Sequence, residues 1–138
     1  MPDRSIALIA LVVREYDEAI AFYRDKVGFE LTEDTALGGA KRWVTMAPAR
    51  GGAALLLARA DGETQTARIG DQTGGRVGFF LYTDDFEGDH AAMTTKGVRF
   101  IRPPTRHPYG VVAVWEDLYG NRWDLLQPAA VVPAAPSA

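Results

Sequence analysis

The sequence predicts an α+β fold of two tandem βαβββ modules whose strands form a curved, cup-like mixed sheet. Three observations lead there. A short aliphatic run, a helix-spaced apolar stripe and a glycine occur in that order twice, at residues 6–28 and 76–97. Three segments rich in β-branched and aromatic residues follow each copy. The interval between the copies is about half of the 138-residue chain, as expected for a duplicated unit.

Residues 6–13 are short, aliphatic and uninterrupted, which suits a strand buried on both faces. Tyr16, Ile20, Tyr23 and Val27 then recur at helical spacing, with Asp17 as the expected cap and Gly28 as the left-handed exit. Strands are predicted at 29–35, 41–47 and 53–58, joined through Gly38-Gly39 and through residues 48–52. Residues 59–75 are polar and glycine-rich without periodicity, and read as a linker. The second module starts with a strand at 76–83, followed by a helix capped by Asp84 or Asp85 and closed by Gly97. Phe86, His90 and Met93 take the slots of Tyr16, Ile20 and Tyr23. Strands follow at 98–102, 109–116 and 121–127, with a proline-rich loop at 103–108 and a turn at Tyr119-Gly120. The chain therefore reads as one domain over 1–128, with modules at 5–58 and 76–127, and a disordered Pro/Ala tail at 129–138.

Composition narrows the function classes. Fifteen Lys and Arg against eighteen Asp and Glu, scattered rather than clustered, offer no phosphate-binding stripe, so no nucleic-acid partner is expected. The absence of cysteine removes disulfides, thiolate nucleophiles and thiolate metal sites, and fits a reducing cytoplasm, where the chain is expected to reside. The apolar run before Arg14 is flanked by acids and lacks a small-residue cleavage site, so it reads as a strand and not a leader. No stretch is long and apolar enough to suggest a membrane span.

A four-stranded sheet carrying one helix covers only one of its faces, and two such units can curl their second faces into a cavity. Residues 8–31 (LIALVVREYDEAIAFYRDKVGFEL) and 111–127 (VVAVWEDLYGNRWDLLQ) resemble the vicinal oxygen chelate superfamily of glyoxalases, bleomycin-resistance proteins and extradiol dioxygenases. The pieces A-F-Y-R-D-x-x-G-F and E-D-x-x-G-N-R-x-D-L join helix stripe, cap glycine and turn glycine at that family's spacing, and specify its fold more than any one reaction. In its metal-dependent members the resemblance implies ligands on the first, fourth, fifth and eighth strands. Here those places fall on Leu8, within the Ala/Leu segment 53–58, on Gly78 and on Asp124. One carboxylate remains, too few for a hard divalent ion or for zinc. His90 on the helix stripe and His107 in the proline-rich loop are the only histidines; neither has metal-ligating companions, so no metal and no cofactor are expected.

Strand alternation puts Leu8, Ala10 and Val12 on one face, and likewise Gly78, Phe80 and Tyr82, and Arg122, Asp124 and Leu126. The resemblance turns that face toward the cavity. The expected ligand-binding residues are Arg42 or Trp43, of which alternation admits only one inward, with Phe80, Tyr82, His107, Tyr109, Glu116 and Asp124. Asp124 is expected to pair with Arg122, two residues away on the same face. The leading reading is a metal-free protein that binds a small aromatic or amphipathic molecule, working as a homodimer as the resemblance implies. The second is a lyase, isomerase or dioxygenase with a rearranged site around Asp124, Glu116 and His107. A third is an interaction module that uses its open faces for self-association.

Overall fold

A computed structural model of the chain describes residues 1–130. Its backbone divides into two compact units, the first spanning Met1–Gln72 and the second beginning at Thr73. The first contains β1 (Leu8–Val13), α1 (Tyr16–Ala21), β2 (Glu30–Gly38), β3 (Lys41–Ala47), β4 (Ala54–Arg59) and α2 (Gly62–Thr66). The second contains β5 (Phe79–Tyr82), α3 (Phe86–Thr95), β6 (Arg99–His107), β7 (Gly110–Glu116) and β8 (Arg122–Pro128). The sheets have the orders β1-β4-β3-β2 and β5-β8-β7-β6. In both, the first strand runs parallel to the last and the other neighbours are antiparallel. The class is α+β and each unit is one βαβββ copy.

Alternation sorts each sheet into a covered and an open face. In the first unit Leu11, Val44, Met46, Leu55 and Leu57 are buried on the side of Tyr16, Ile20 and Tyr23, which are themselves buried. Tyr23 also stacks on Phe29, their centroids 5.6 Å apart. In the second, Phe79, Trp123 and Trp115 form a stacked ladder with successive centroids 4.9 Å apart, on the side of buried Phe86 and Met93. Each such side chain contributes roughly 1.5–3 kcal/mol through burial, and the helices thereby dictate which face is core.

Several local expectations change. Glu15, not Asp17, occupies the cap position of α1, and Asp17 instead reaches Arg42. The first helix continues past Ala21 as a π-helical segment, Phe22–Val27, before Gly28 ends it at φ +88°. Asp85 caps α3 by accepting from the Gly88 amide at 3.1 Å. The polar linker contains α2, and Gln72 near its end accepts from the Val12 amide on the free edge of β1. β5 begins at Phe79, later than expected.

The largest correction concerns residues 103–108, read from the sequence as a loop. They belong to β6 as far as His107. Pro103 and Pro104 are tolerated because β6 is the edge strand, where a missing N–H leaves no neighbour unsatisfied. The ladder shifts register on both sides of Arg102 to accommodate them. The expected tail mostly lies outside the described residues.

The motif E-D-x-x-G-N-R closes the β7–β8 turn. Asp117 is buried, and its Oδ1 accepts the amides of Tyr119 and Asn121 at 2.9 Å each, while Oδ2 accepts the Asn121 side-chain amide at 2.8 Å. Gly120 supplies φ +99°. Replacing Asp117 by Ala strands these donors, so D117A is expected to lower stability by about 2 kcal/mol or more. Urea denaturation checks this, with the midpoint falling at unchanged slope.

Candidate ligand-binding faces

The open face of the first sheet follows from its register. Leu8 lies opposite Ala54, Ala10 opposite Leu56 and Val12 opposite Ala58, with Thr45 across from Leu56. Trp43 shares this side, two residues from Thr45, and Arg42 is on the other. There Arg42 is tightly held. Its guanidinium donates to Asp34 at 3.1 and 2.7 Å and to Asp17 at 2.9 Å, its carbon sits 5.0 Å from the Tyr16 ring centre, and its amide donates to the Tyr16 hydroxyl at 3.1 Å. Asp34 and then Asp17 strengthen the Arg42 charge, and Arg42 in turn holds the Asp34 carboxyl below its ordinary range. The ambiguity at residues 42 and 43 thus resolves through acids on β2 and α1 that capture the arginine. A cleft of about 600 Å³ in this unit is lined by Trp43, Leu56 and Ala58 and also by Tyr16, Arg42 and Arg59, so residues 42 and 43 both border it.

The open face of the second sheet consists of three cross-strand rows. Arg122, Glu116 and Arg99 form the first; Phe80, Asp124, Val114 and Arg102 the second; Tyr82, Leu126, Val112 and Thr105 the third. Phe80 and Tyr82 are 53% and 64% exposed, far above the aromatic rings on the helix side. Asp124 does not pair with Arg122: among the described residues no ion pair or side-chain hydrogen bond joins them, and the nearby charge acting on Asp124 is Arg102. Burial raises the Asp124 carboxyl above its ordinary range, and Arg102 opposes that only in part. Sequence reasoning missed Arg102 because the register slips beside Pro103 and Pro104 hide its phase.

The other expected residues lie elsewhere. His107 stacks on Tyr109, centroids 4.9 Å apart and 6° from parallel, and its Nε2 is 3.0 Å from Thr105 Oγ1. It faces Gly110 in the ladder whereas Glu116 ends the same strand, so six residues separate them, about 20 Å of strand. The trio Asp124, Glu116 and His107 therefore does not assemble. His107 instead borders a cleft of about 950 Å³ at the start of α3, with Asp84, Asp85, Glu87 and Arg106. His90 packs between Phe86 and Phe100, with centroids at 5.7 and 4.3 Å, as a residue at the edge of the core.

The donor set at the inherited metal positions is unsuited to an ion. Leu8 and the β4 segment present hydrocarbon, and a Cβ at Gly78 would overlap the Thr73 methyl. Among the described residues, no three His, Cys, Asp or Glu side chains converge on a point that could hold a metal. Nor is any described helix long and apolar enough to cross a membrane.

Both units carry the same βαβββ order, with matching strand orders in their two sheets. Over residues 5–125 the chain matches the model of the Glyoxalase/Bleomycin resistance protein/Dioxygenase superfamily, and it belongs to that family. It is 55% identical over 126 residues to an uncharacterized protein of Shewanella frigidimarina, covering 90% of this chain and 93% of that one. Among solved structures it resembles UcmS2, with 28% identity, TM-score 0.77 and coverage of 91% and 98% of the two chains. It also resembles TnmS3, an antibiotic binding protein from Streptomyces sp. CB03234, with 30% identity, TM-score 0.72 and coverage of 94% and 99%.

The Asp124 shift has a measurable sign. An acid whose pKa is raised by folding stabilises the native state fully below its unfolded value, near pH 3.9, and loses that contribution as pH rises through the folded value. Asp124→Asn should therefore melt with wild type near pH 3.5 and above it at pH 7, as followed by calorimetry at the two pH values.

Proposed function

We propose that this protein binds a small aromatic or amphipathic molecule, without the metal that other members of its superfamily use. The observation that carries the reading is the identity of the four inherited ligand positions, three of which present hydrocarbon or hydrogen while Asp124 alone remains. A site without an electrophilic ion retains what a binding protein needs: apolar walls and a few polar groups that orient a ligand. Trp43 over Leu56 and Ala58 provides such a wall in one unit, and Phe80, Tyr82, Leu126 and Val112 provide one in the other. The likeness to TnmS3, an antibiotic binding protein, supports this direction.

The distance of His107 from Glu116 weighs against the catalytic alternative, because general acid–base work needs its groups within hydrogen-bond reach of one reacting centre. The protein acts as a homodimer in this proposal. Light scattering behind size exclusion is expected to give twice the chain mass at micromolar concentration; a monomer alone would remove that part of the proposal.

Purified protein should contain far less than one transition metal per chain, and chelation should leave its melting temperature unchanged. A tight stoichiometric metal whose removal lowers the melting temperature would contradict the reading. A panel of aromatic antibiotics and metabolites should yield a compound that, at about 100 times its Kd, stabilises the fold by about 2.7 kcal/mol. Phe80→Ala is expected to weaken by about tenfold or more a compound held on the second unit's face, and Trp43→Ala one held on the first unit's face, the scale set by losing a large aromatic contact.

A further inference from the structure

The open face of the second sheet carries more positive than negative groups. Three guanidiniums, Arg99, Arg102 and Arg122, stand against two carboxylates, Glu116 and Asp124. Their pairing is uneven. Glu116 stands opposite both Arg99 and Arg122 in register, and its carboxylate lies 3.7 Å from Arg99. Arg102 acts on Asp124 through its charge, without a hydrogen bond. Arg122 is left half-buried with no ion pair or side-chain hydrogen bond among the described residues. A half-buried guanidinium with five donors and no acceptor is a ready partner for an anion, above all a planar one that it can meet bidentately.

The position of Arg122 gives that preference a direction. It lies one row from Phe80 and one strand away, because Phe80 pairs with Asp124 and Asp124 is two residues along β8. Beyond Phe80 on the same strand comes Tyr82, with Leu126 and Val112 beside it. The face therefore grades from cationic to aromatic and apolar over three rows, roughly 13 Å along the strands. A fused aromatic ring carrying one acidic group matches that length and that polarity.

We infer that the second sheet selects an aromatic anion, its rings lying on Phe80 and Tyr82 and its carboxylate or sulfonate meeting Arg122, while Arg102 offsets the like charge of Asp124. This rests on the ligand-binding reading above and specifies the chemical class of the ligand. It also gives Arg122 a task that the turn motif in which it sits does not explain.

Three probes of one shape separate the possibilities: 2-naphthoate, 2-naphthylmethanol and 2-naphthylmethylammonium, titrated calorimetrically into the full-length protein. The expected result is that naphthoate binds at least about tenfold tighter than the alcohol, a difference of about 1.4 kcal/mol, and that the ammonium compound binds weakest. Arg122→Met should erase the tenfold advantage and leave affinity for the alcohol unchanged. Should that variant fold poorly, the wild-type advantage of naphthoate should itself shrink as salt is raised from 0.05 to 0.5 M, since the contact is partly screened. Equal affinity for naphthoate and the alcohol, preference for the ammonium compound, or an advantage that survives both Arg122→Met and salt would overturn the inference while leaving aromatic binding intact. Failure of all three probes to bind would remove the binding reading along with it.

Discussion

Each sheet of this protein has four strands and one long helix, and that inequality governs the rest. A helix can bury one face of such a sheet, and alternate residues along the central strands β3, β4, β7 and β8 are then committed to a core with it. The alternate residues receive no helix, although Thr45, Val114 and Leu126 among them are still buried. Tyr16, Ile20 and Tyr23 decide that Leu11, Val44, Met46 and Leu57 are core; Phe86 and Met93 decide the same for Leu125, Trp115 and Trp123. What remains on the opposite side is Trp43 and Leu56 in one sheet, and in the other Phe80 and Tyr82 beside Arg122, Glu116, Arg99, Asp124 and Arg102. Function in this account is located on what packing leaves over.

Fixing those faces requires devices at the strand ends. On β3, Asp34 and Asp17 grip Arg42 from the helix side, so that its neighbour Trp43 must take the open side. On β7 and β8, Asp117 collects the turn amides and so sets the register in which Asp124 meets Phe80. A slip of one residue in either place would exchange core and surface throughout the strand. The charged and polar residues most visible in the motifs thus serve mainly to aim their neighbours.

Much of this could be read from the sequence because it is written in short-range periods. The stripe Tyr16-Ile20-Tyr23, the exits at Gly28 and Gly97, the cap at Asp85 and the alternation that groups Phe80 with Tyr82 all depend on spacing within a few residues. The failures share a different cause. That Pro103 and Pro104 sit in a strand depends on β6 being an edge, a property of sheet order. That Asp17 serves Arg42 and does not cap depends on a residue twenty-five positions away. The choice between Arg42 and Trp43 needs the pairing of Val44 with Leu57. The expected partnership of Arg122 with Asp124 assumed that proximity on one strand makes a pair, and Arg102 from two strands away is the charge that acts there instead. Which residues stand at the four positions that the resemblance implies, by contrast, needed only residue identity.

The central claim is that ligand meets the uncovered faces and spares the helix-covered ones. Nuclear magnetic resonance of selectively labelled aromatic side chains, recorded with and without saturating 2-naphthoate, tests it directly. The account predicts shifts in the ring signals of Phe80 and Tyr82 while Phe79, Trp115 and Trp123 stay unmoved. Shifts centred on the Phe79, Trp123 and Trp115 ladder, or none on Phe80 and Tyr82, would contradict it.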